Sequence, residues 1–150
     1  MQQPLQPDDD PVNAFEGPGR KLPYVILLMD DEESILGSFG KLLEIEGFVV
    51  YRACSGEQAI LLYQQALSSK YRVDVAVLDL TIYEGMGGLE TVARLKEIHP
   101  GVRAIATTGH FRNDLVFDYK KYGFVGFLRK PFILKELLEA IDKGYQDGAK

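Results

Sequence analysis

Five short apolar runs, each followed by a segment with helical spacing, constrain the fold of this chain more than any other feature. Continuous apolar runs of about four to eight residues are typical of strands that are buried on both faces, as in parallel sheets. Strands that alternate with helices predict a doubly wound α/β fold, here a five-stranded parallel sheet with five helices. The runs are YVILLM (24–29), FVVYRA (48–53), VDVAVLDL (73–80), VRAIATT (102–108) and FVGFLRK (124–130).

The segments between the runs carry apolar residues at helical spacing. The first helix is expected over Ile35–Leu43, with Gly47 as its stop, and the second opens on the capping-box sequence SGEQ at 55–58. The third runs from about Leu89 to Ile98, and a weaker fourth is expected near Asp114–Tyr122. The last helix is lined by Leu134, Leu137, Leu138 and Ile141.

Composition argues against several classes of protein. The 150 residues carry a formal net charge of −5 and one cysteine, which disfavours a nucleic-acid binder and an internal disulfide framework. No run approaches the roughly 18 apolar residues of a membrane span and no signal sequence opens the chain, so a cytoplasmic protein is expected. We expect residues 1–20 to be a flexible tail or linker, 21–146 one folded domain and 147–150 a short tail.

Reactive side chains stand at the ends of four of the five predicted strands. Asp30 and Asp31 follow the first, Asp79 ends the third, Thr108 ends the fourth and Lys130 ends the fifth. The carboxyl ends of parallel strands meet at one edge of the sheet, where open α/β folds bind their ligands. We therefore expect these side chains to converge.

Each of these residues also has an ordinary structural explanation. Asp30 or Asp31 could cap the helix that follows, and Asp79 could form a turn by hydrogen-bonding its own backbone. Thr108 could be a strand residue without a further role, and Lys130 a solvated surface lysine. The joint pattern favours a functional site, because suitable residue types end four strands at once.

Three converging carboxylates would require a cation. Two carboxylates about 4 Å apart repel by roughly 4 kcal/mol at an effective dielectric constant of about 20. Hard oxygen ligands favour Mg²⁺ over zinc or copper, and the sequence has no Cys/His cluster. Mg²⁺, Lys130 and Thr108 could each stabilise one oxygen of a phosphoryl group that is transferred to Asp79.

The motifs MDDEE, VLDLT, TTG and FLRKPF occur in this order between Pro23 and Tyr145, and over this length the chain resembles the receiver domains of two-component response regulators. The resemblance implies a flavodoxin-like (βα)5 fold and a phosphorylation-dependent signalling switch. Its partner would be a histidine kinase or a histidine phosphotransfer protein. Such a domain is not a turnover enzyme, since it catalyses only its own phosphorylation and dephosphorylation.

The resemblance also implies a role for each site residue. Asp79 would accept the phosphoryl group and Lys130 would contact it. Asp31 would bind Mg²⁺ directly, Asp30 would bind it through water, and Asp79 and the Thr81 carbonyl would complete the metal shell.

The switch residues are implied in the same way. Thr108 matches the switch hydroxyl and Phe127 the aromatic switch position, where tyrosine is commoner. The Lys130–Pro131 bond would be cis, as only a bond to proline readily allows. Residues 111–145, comprising the fourth helix, fifth strand and fifth helix, would form the output surface and a possible homodimer contact.

The loop after Asp79 departs from the usual receiver pattern. Tyr83 stands where proline is common, and one extra residue precedes Gly88, which resembles the C-terminal receivers of hybrid sensor histidine kinases. Thr81 and His110 flank the expected line of water attack. Neither is expected to be a strong general base, which predicts a long-lived phosphoryl state.

Three other functions compete with this interpretation. A phosphatase with an aspartyl-phosphate intermediate needs a second acid two residues after the nucleophile, where this chain has Thr81. A nucleotide-binding domain would need a glycine-rich loop after the first strand, which is missing. A receiver-like interaction module that is never phosphorylated is disfavoured by the intact Asp31, Asp79, Thr108 and Lys130.

Overall fold

The five apolar runs form one parallel sheet with the strand order β2-β1-β3-β4-β5, as the alternating pattern predicts. The computed structural model describes residues 24–109 and 118–148. The second strand lies on one side of β1 and the third on the other, so the strand order reverses between β1 and β3. The strands are β1 (Val25–Met29), β2 (Val49–Ala53), β3 (Val75–Asp79), β4 (Ala104–Thr108) and β5 (Gly126–Arg129).

Four α-helices lie within the described residues, together with a 3₁₀-helix. The predicted fourth helix, near Asp114–Tyr122, falls partly outside them, and its end forms the 3₁₀-helix. The last helix continues past the predicted domain end at residue 146, while the predicted tail, residues 1–20, lies outside the described part. No helix in the described ranges is both long and apolar enough to cross a bilayer. The helices are α1 (Glu33–Ile45), α2 (Gly56–Leu67), α3 (Gly88–Ile98), the 3₁₀-helix (Tyr119–Tyr122) and α4 (Leu134–Gly148).

Successive strand residues point to opposite faces of the sheet, so each strand contributes to two separate core layers. On one face Leu78 packs in a cluster with Leu95 of α3, and α2 contributes Tyr63 to the same layer. On the other face Val77 packs in a cluster with Leu137 of α4, and α1 contributes Leu43. Helices therefore cover both faces of the sheet and leave the carboxyl edge of the strands for a site.

The first turn of α2 is fixed by two side-chain hydrogen bonds. The Ser55 hydroxyl accepts a bond from the Gln58 amide at 3.3 Å. The Gln58 side-chain oxygen accepts a bond from the Cys54 amide at 2.7 Å, one residue before the partner that a capping box would use. The predicted cap therefore holds the helix start together with the end of β2.

Two glycines of α1 differ in what surrounds them. A Cβ added at Gly40 would lie 2.5 Å from the Arg52 side-chain Nε, whereas an added Cβ at Gly37 would meet nothing within 4 Å. Arg52 lies on β2, donates to the Leu36 carbonyl at 3.2 Å and pairs with Glu44 at 2.9 Å. Gly40 therefore allows a strand residue to bond to the helix backbone.

We expect Gly37→Ala to raise the free energy of unfolding by about 0.5–1 kcal/mol, because alanine loses less backbone entropy than glycine in a helix. Gly40→Ala should gain less or destabilise, since its methyl group would displace Arg52 from its two partners. Urea unfolding of both variants measures the difference. Equal stabilisation at the two positions would contradict this account of Gly40.

Candidate functional site

The sheet brings the acidic residues at the ends of β1 and β3 to a common edge. Met29 pairs with Leu78 across these two strands. Asp30 and Asp79, the next residue of each strand, are therefore neighbours at the point where the strand order reverses. The chain leaves this point toward α1 on one face and toward α3 on the other. A cleft between the two connections is the usual ligand site of an open α/β sheet.

Three carboxylates converge at this edge of the sheet. Asp30, Asp31 and Asp79 each offer an oxygen, and these oxygens all lie within 4.8 Å of one another. Asp30 is 2% exposed and Asp79 is 3% exposed, while Asp31 is half-buried. At these separations their charges repel, and burial strengthens the repulsion because solvent screens it less.

Lys130 supplies the positive charge between two of these acids. Its ammonium lies 2.7 Å from Asp30 Oδ2 and 2.9 Å from Asp79 Oδ2, and 3.8 Å from the exposed Glu32. Its backbone amide donates to the Thr108 carbonyl at 2.9 Å, which fixes the end of β5 against β4. Lys130 is thus a partly buried site residue, and the surface-lysine explanation is wrong.

The pKa values of this pair follow from burial and hydrogen bonding. Burial raises the pKa of the Asp79 carboxyl and the neighbouring Asp30 adds to the increase, against the opposing bonds from the Thr81 amide and Lys130. Burial lowers the pKa of Lys130, but its hydrogen bonds to both aspartates outweigh this, and the net direction is upward. For the Asp79 carboxyl the effect of burial outweighs the bonds from the Thr81 amide and Lys130, so the net direction of its pKa is upward.

Of the two structural explanations for the acids, the helix cap is wrong and the turn at Asp79 is confirmed. The residue that precedes α1 is Glu32, without a side-chain cap, so neither Asp30 nor Asp31 caps the helix. Asp30 Oδ1 instead accepts a bond from the Glu32 amide at 2.9 Å. Asp79 does form the expected turn, since its Oδ1 accepts a bond from the Thr81 amide at 3.0 Å. Its other oxygen contacts Lys130, so Asp79 serves the turn and the site together.

The donor set fits Mg²⁺. Three carboxylates provide hard oxygen ligands, and Thr81 lines the cleft beside them. Lys130 contributes one positive charge against these three negative charges, which leaves an excess that a dication would neutralise. Receiver-type coordination by Asp30, Asp31, Asp79 and the Thr81 carbonyl is therefore chemically consistent with the residues present.

The two predicted switch residues lie on the same side of the sheet. Thr108 is 2% exposed at the end of β4 and pairs with Arg129 on β5. Phe127 lies two residues before Arg129, so strand alternation puts it on the same face of the sheet as Thr108. Phe127 is half-buried, and its ring stacks on the Tyr119 ring with 6.5 Å between the ring centroids. The peptide bond between Lys130 and Pro131 is cis, as predicted.

The cleft is also lined by residues that the sequence pattern does not assign to the site. A volume of about 310 Å³ is lined by Asp31, Asp79, Thr81, Lys130, Gly109, Glu32 and Tyr83. The Tyr83 amide donates to Asp31 Oδ2 at 2.9 Å. Glu32 could have been suspected from its place in MDDEE, but a backbone amide such as that of Tyr83 leaves no mark in the residue pattern. His110 lies outside the described residues.

The raised pKa of Asp79 predicts a pH-dependent effect of removing its charge. A group whose pKa is higher in the folded protein favours folding below its unfolded pKa, and this contribution is lost as pH rises through the folded value. In the presence of a chelator, Asp79→Asn should therefore raise the free energy of unfolding at pH 7. The gain should shrink as pH falls toward about 4, near the ordinary pKa of aspartate. Urea unfolding across this range would contradict the prediction if the variant were the less stable protein at pH 7.

Comparison with known proteins identifies the family. Residues 26–142 match the response regulator receiver domain. The chain is 30% identical over 118 residues to sporulation initiation phosphotransferase F of Bacillus subtilis, which covers 79% of this chain and 90% of that protein. It is 28% identical over 139 residues to the sensor kinase CckA of Brucella abortus, which covers 89% of this chain but 14% of the kinase. The chain thus spans most of one relative and a small part of the other.

A solved structure agrees with these sequence matches. The fold is similar to that of a response regulator from Burkholderia pseudomallei, with a TM-score of 0.69 and 25% identity over 83% of this chain and 70% of that chain. That structure carries a phosphorylated aspartic acid, a calcium ion and citrate. The chain belongs to the response regulator receiver domain family, whose members are phosphorylation-dependent switches of two-component signalling, bind Mg²⁺ at an acidic pocket and interact with histidine kinases or phosphotransfer proteins.

Proposed function

We propose that Asp79 accepts a phosphoryl group from a phosphohistidine donor, with Mg²⁺ held by Asp30, Asp31, Asp79 and the Thr81 carbonyl. The observation that carries the proposal is the 2.9 Å contact between Lys130 and Asp79 at the wall of an open cleft. Asp30 is as deeply buried but does not line the cleft, so Asp79 is the better placed nucleophile. The aspartyl phosphate in the Burkholderia relative supports the same chemistry.

Transfer exchanges one bond to phosphorus for another. A carboxylate oxygen of Asp79 attacks the phosphorus while the bond to the donor imidazole nitrogen breaks, and that nitrogen keeps the bonding electron pair. The Lys130 ammonium, already hydrogen-bonded to Asp79, would follow the negative charge to a phosphoryl oxygen. Bound Mg²⁺ would neutralise charge on the carboxylates and on the phosphoryl oxygens.

Thr108 and Phe127 would convert this local charge into a change of shape. Phosphorylation adds about −1.5 to −2 charges at neutral pH. The backbone bond between Lys130 and Thr108 couples the two residues that would contact the new group. We infer that the Thr108 hydroxyl moves toward the phosphoryl group and that Phe127 follows it inward. We propose in addition that residues 111–145 form the output surface and a possible homodimer contact.

The cellular setting is a further part of the proposal. The donor would be a histidine kinase or a histidine phosphotransfer protein in the cytoplasm, and output would pass through protein partners without direct contact to nucleic acid or membrane. The net charge of −5 supports this choice over nucleic acid. The domain would turn over no external substrate, since its chemistry is confined to its own phosphorylation and dephosphorylation.

Intact-mass measurement after incubation with acetyl phosphate and Mg²⁺ tests the acceptor. We expect one added phosphoryl group on wild type and none on Asp79→Asn. Asp74→Asn is a matched control, because Asp74 is also buried but lies before β3, where it accepts a bond from the Val25 amide at 2.8 Å. This control should be phosphorylated like wild type. No addition to folded, Mg²⁺-bound wild type would favour an interaction module that is not phosphorylated.

The lifetime of the phosphoryl group depends on what can orient water beside Asp79. Thr81 is exposed at the cleft, and its hydroxyl is a weak base. Thr81→Asn would add an amide that can align a water molecule, so the half-life of the phosphorylated protein should fall roughly tenfold. A full general base at this position would shorten the half-life further. Phosphate release after removal of the donor measures it, and an unchanged half-life would exclude a role for residue 81.

A further inference from the structure

The loop between β3 and α3 holds Asp31 through a backbone amide. We propose that the Tyr83 amide, kept in place by Glu57 of α2 through Met86, positions the Asp31 carboxylate for Mg²⁺. Glu57 would thus be a positioning residue that touches neither metal nor phosphoryl group. The inference rests on the proposed function, because it concerns the same metal site.

Asp31 differs from the other two carboxylates in how it is held. Within the described residues Lys130 pairs with Asp30 and Asp79 but not with Asp31. Asp31 Oδ2 accepts the Tyr83 amide at 2.9 Å instead. This bond joins the end of β1 to the loop after β3. Asp31 is only half-buried, and this bond holds its carboxylate near the other two.

Two hydrogen bonds tie the loop to the first turn of α2. Glu57 Oε1 accepts a bond from the Met86 amide at 3.0 Å, and the Met86 carbonyl accepts a bond from the Gly56 amide at 2.8 Å. The Met86 amide also lowers the pKa of Glu57, as expected when a carboxylate accepts a hydrogen bond. The Ser55 cap fixes this turn. The backbone of residues 84 and 85 links Met86 to Tyr83, whose amide is bonded to Asp31.

The backbone between the two held amides is strained. Glu84 has φ 56°, the left-handed region that residues other than glycine rarely adopt. Such a conformation persists when its surroundings impose it. Tyr83 on one side is bonded to Asp31, and Met86 on the other is bonded to Glu57. Removing the Glu57 bond should let the loop relax and carry the Tyr83 amide away from Asp31.

Isothermal titration of the full chain with MgCl₂ tests this arrangement. Glu57→Ala should raise the Mg²⁺ dissociation constant about tenfold, the lower range for loss of a group that orients a ligand. Glu57→Gln keeps the acceptor oxygen and should have a dissociation constant within about twofold of wild type. If the charge of Glu57 mattered instead, Glu57→Gln would bind Mg²⁺ as weakly as Glu57→Ala. Glu90→Ala removes an exposed acid from the first turn of the neighbouring α3 and should bind like wild type.

Tyr83→Pro removes the amide itself, because proline has no N–H. It should weaken Mg²⁺ binding in this loop, which is one residue longer than the loop of receivers with proline at this position. Urea unfolding shows whether each variant is folded, and the Glu57 pair decides the question if the proline variant is not. Wild-type affinity in Glu57→Ala overturns this inference and leaves the proposed function standing. A wild-type chain that binds no Mg²⁺ overturns both.

Discussion

The ammonium of Lys130 between Asp30 and Asp79 is the interaction on which the site depends. Lys130 follows β5, which lies at the edge of the sheet, while Asp30 follows β1 and Asp79 ends β3 in its interior. A parallel sheet is what allows this contact, because all its strands end at the same edge. The hydrogen bond from the Lys130 amide to the Thr108 carbonyl fixes the register of β5 against β4, and with it the position of the Lys130 side chain relative to the acids.

The Lys130 ammonium neutralises only part of the negative charge of the acids. Lys130 neutralises one charge where three carboxylates converge, and burial keeps the pKa of Asp79 above its ordinary value despite the contact. The site is therefore electrostatically incomplete without a second cation. In the proposed function this unneutralised charge would favour the binding of Mg²⁺.

The fold was predictable from the sequence because strands that are buried on both faces of a parallel sheet appear as continuous apolar runs. The apolar runs and helical spacing predicted the five strands and the four described α-helices, most of their ends within a few residues. The start of α1 was less predictable, since Asp30 and Asp31 look like caps and the helix begins after Glu32 without one. The capping sequence of α2 was recognised, but its second bond goes to Cys54, a detail set by the path of the chain leaving β2.

The sequence by itself determined which residues reach the site, because strand ends and residue types fix the positions of Asp30, Asp31, Asp79 and Lys130. It also determined the cis bond before Pro131 through the resemblance to receiver domains. Only the tertiary structure decided how the acids are oriented, in particular that Asp31 is held by the Tyr83 amide and this loop by Glu57. The reason is physical: every residue except proline carries the same backbone N–H, so only the folded path of the chain selects which one meets a carboxylate.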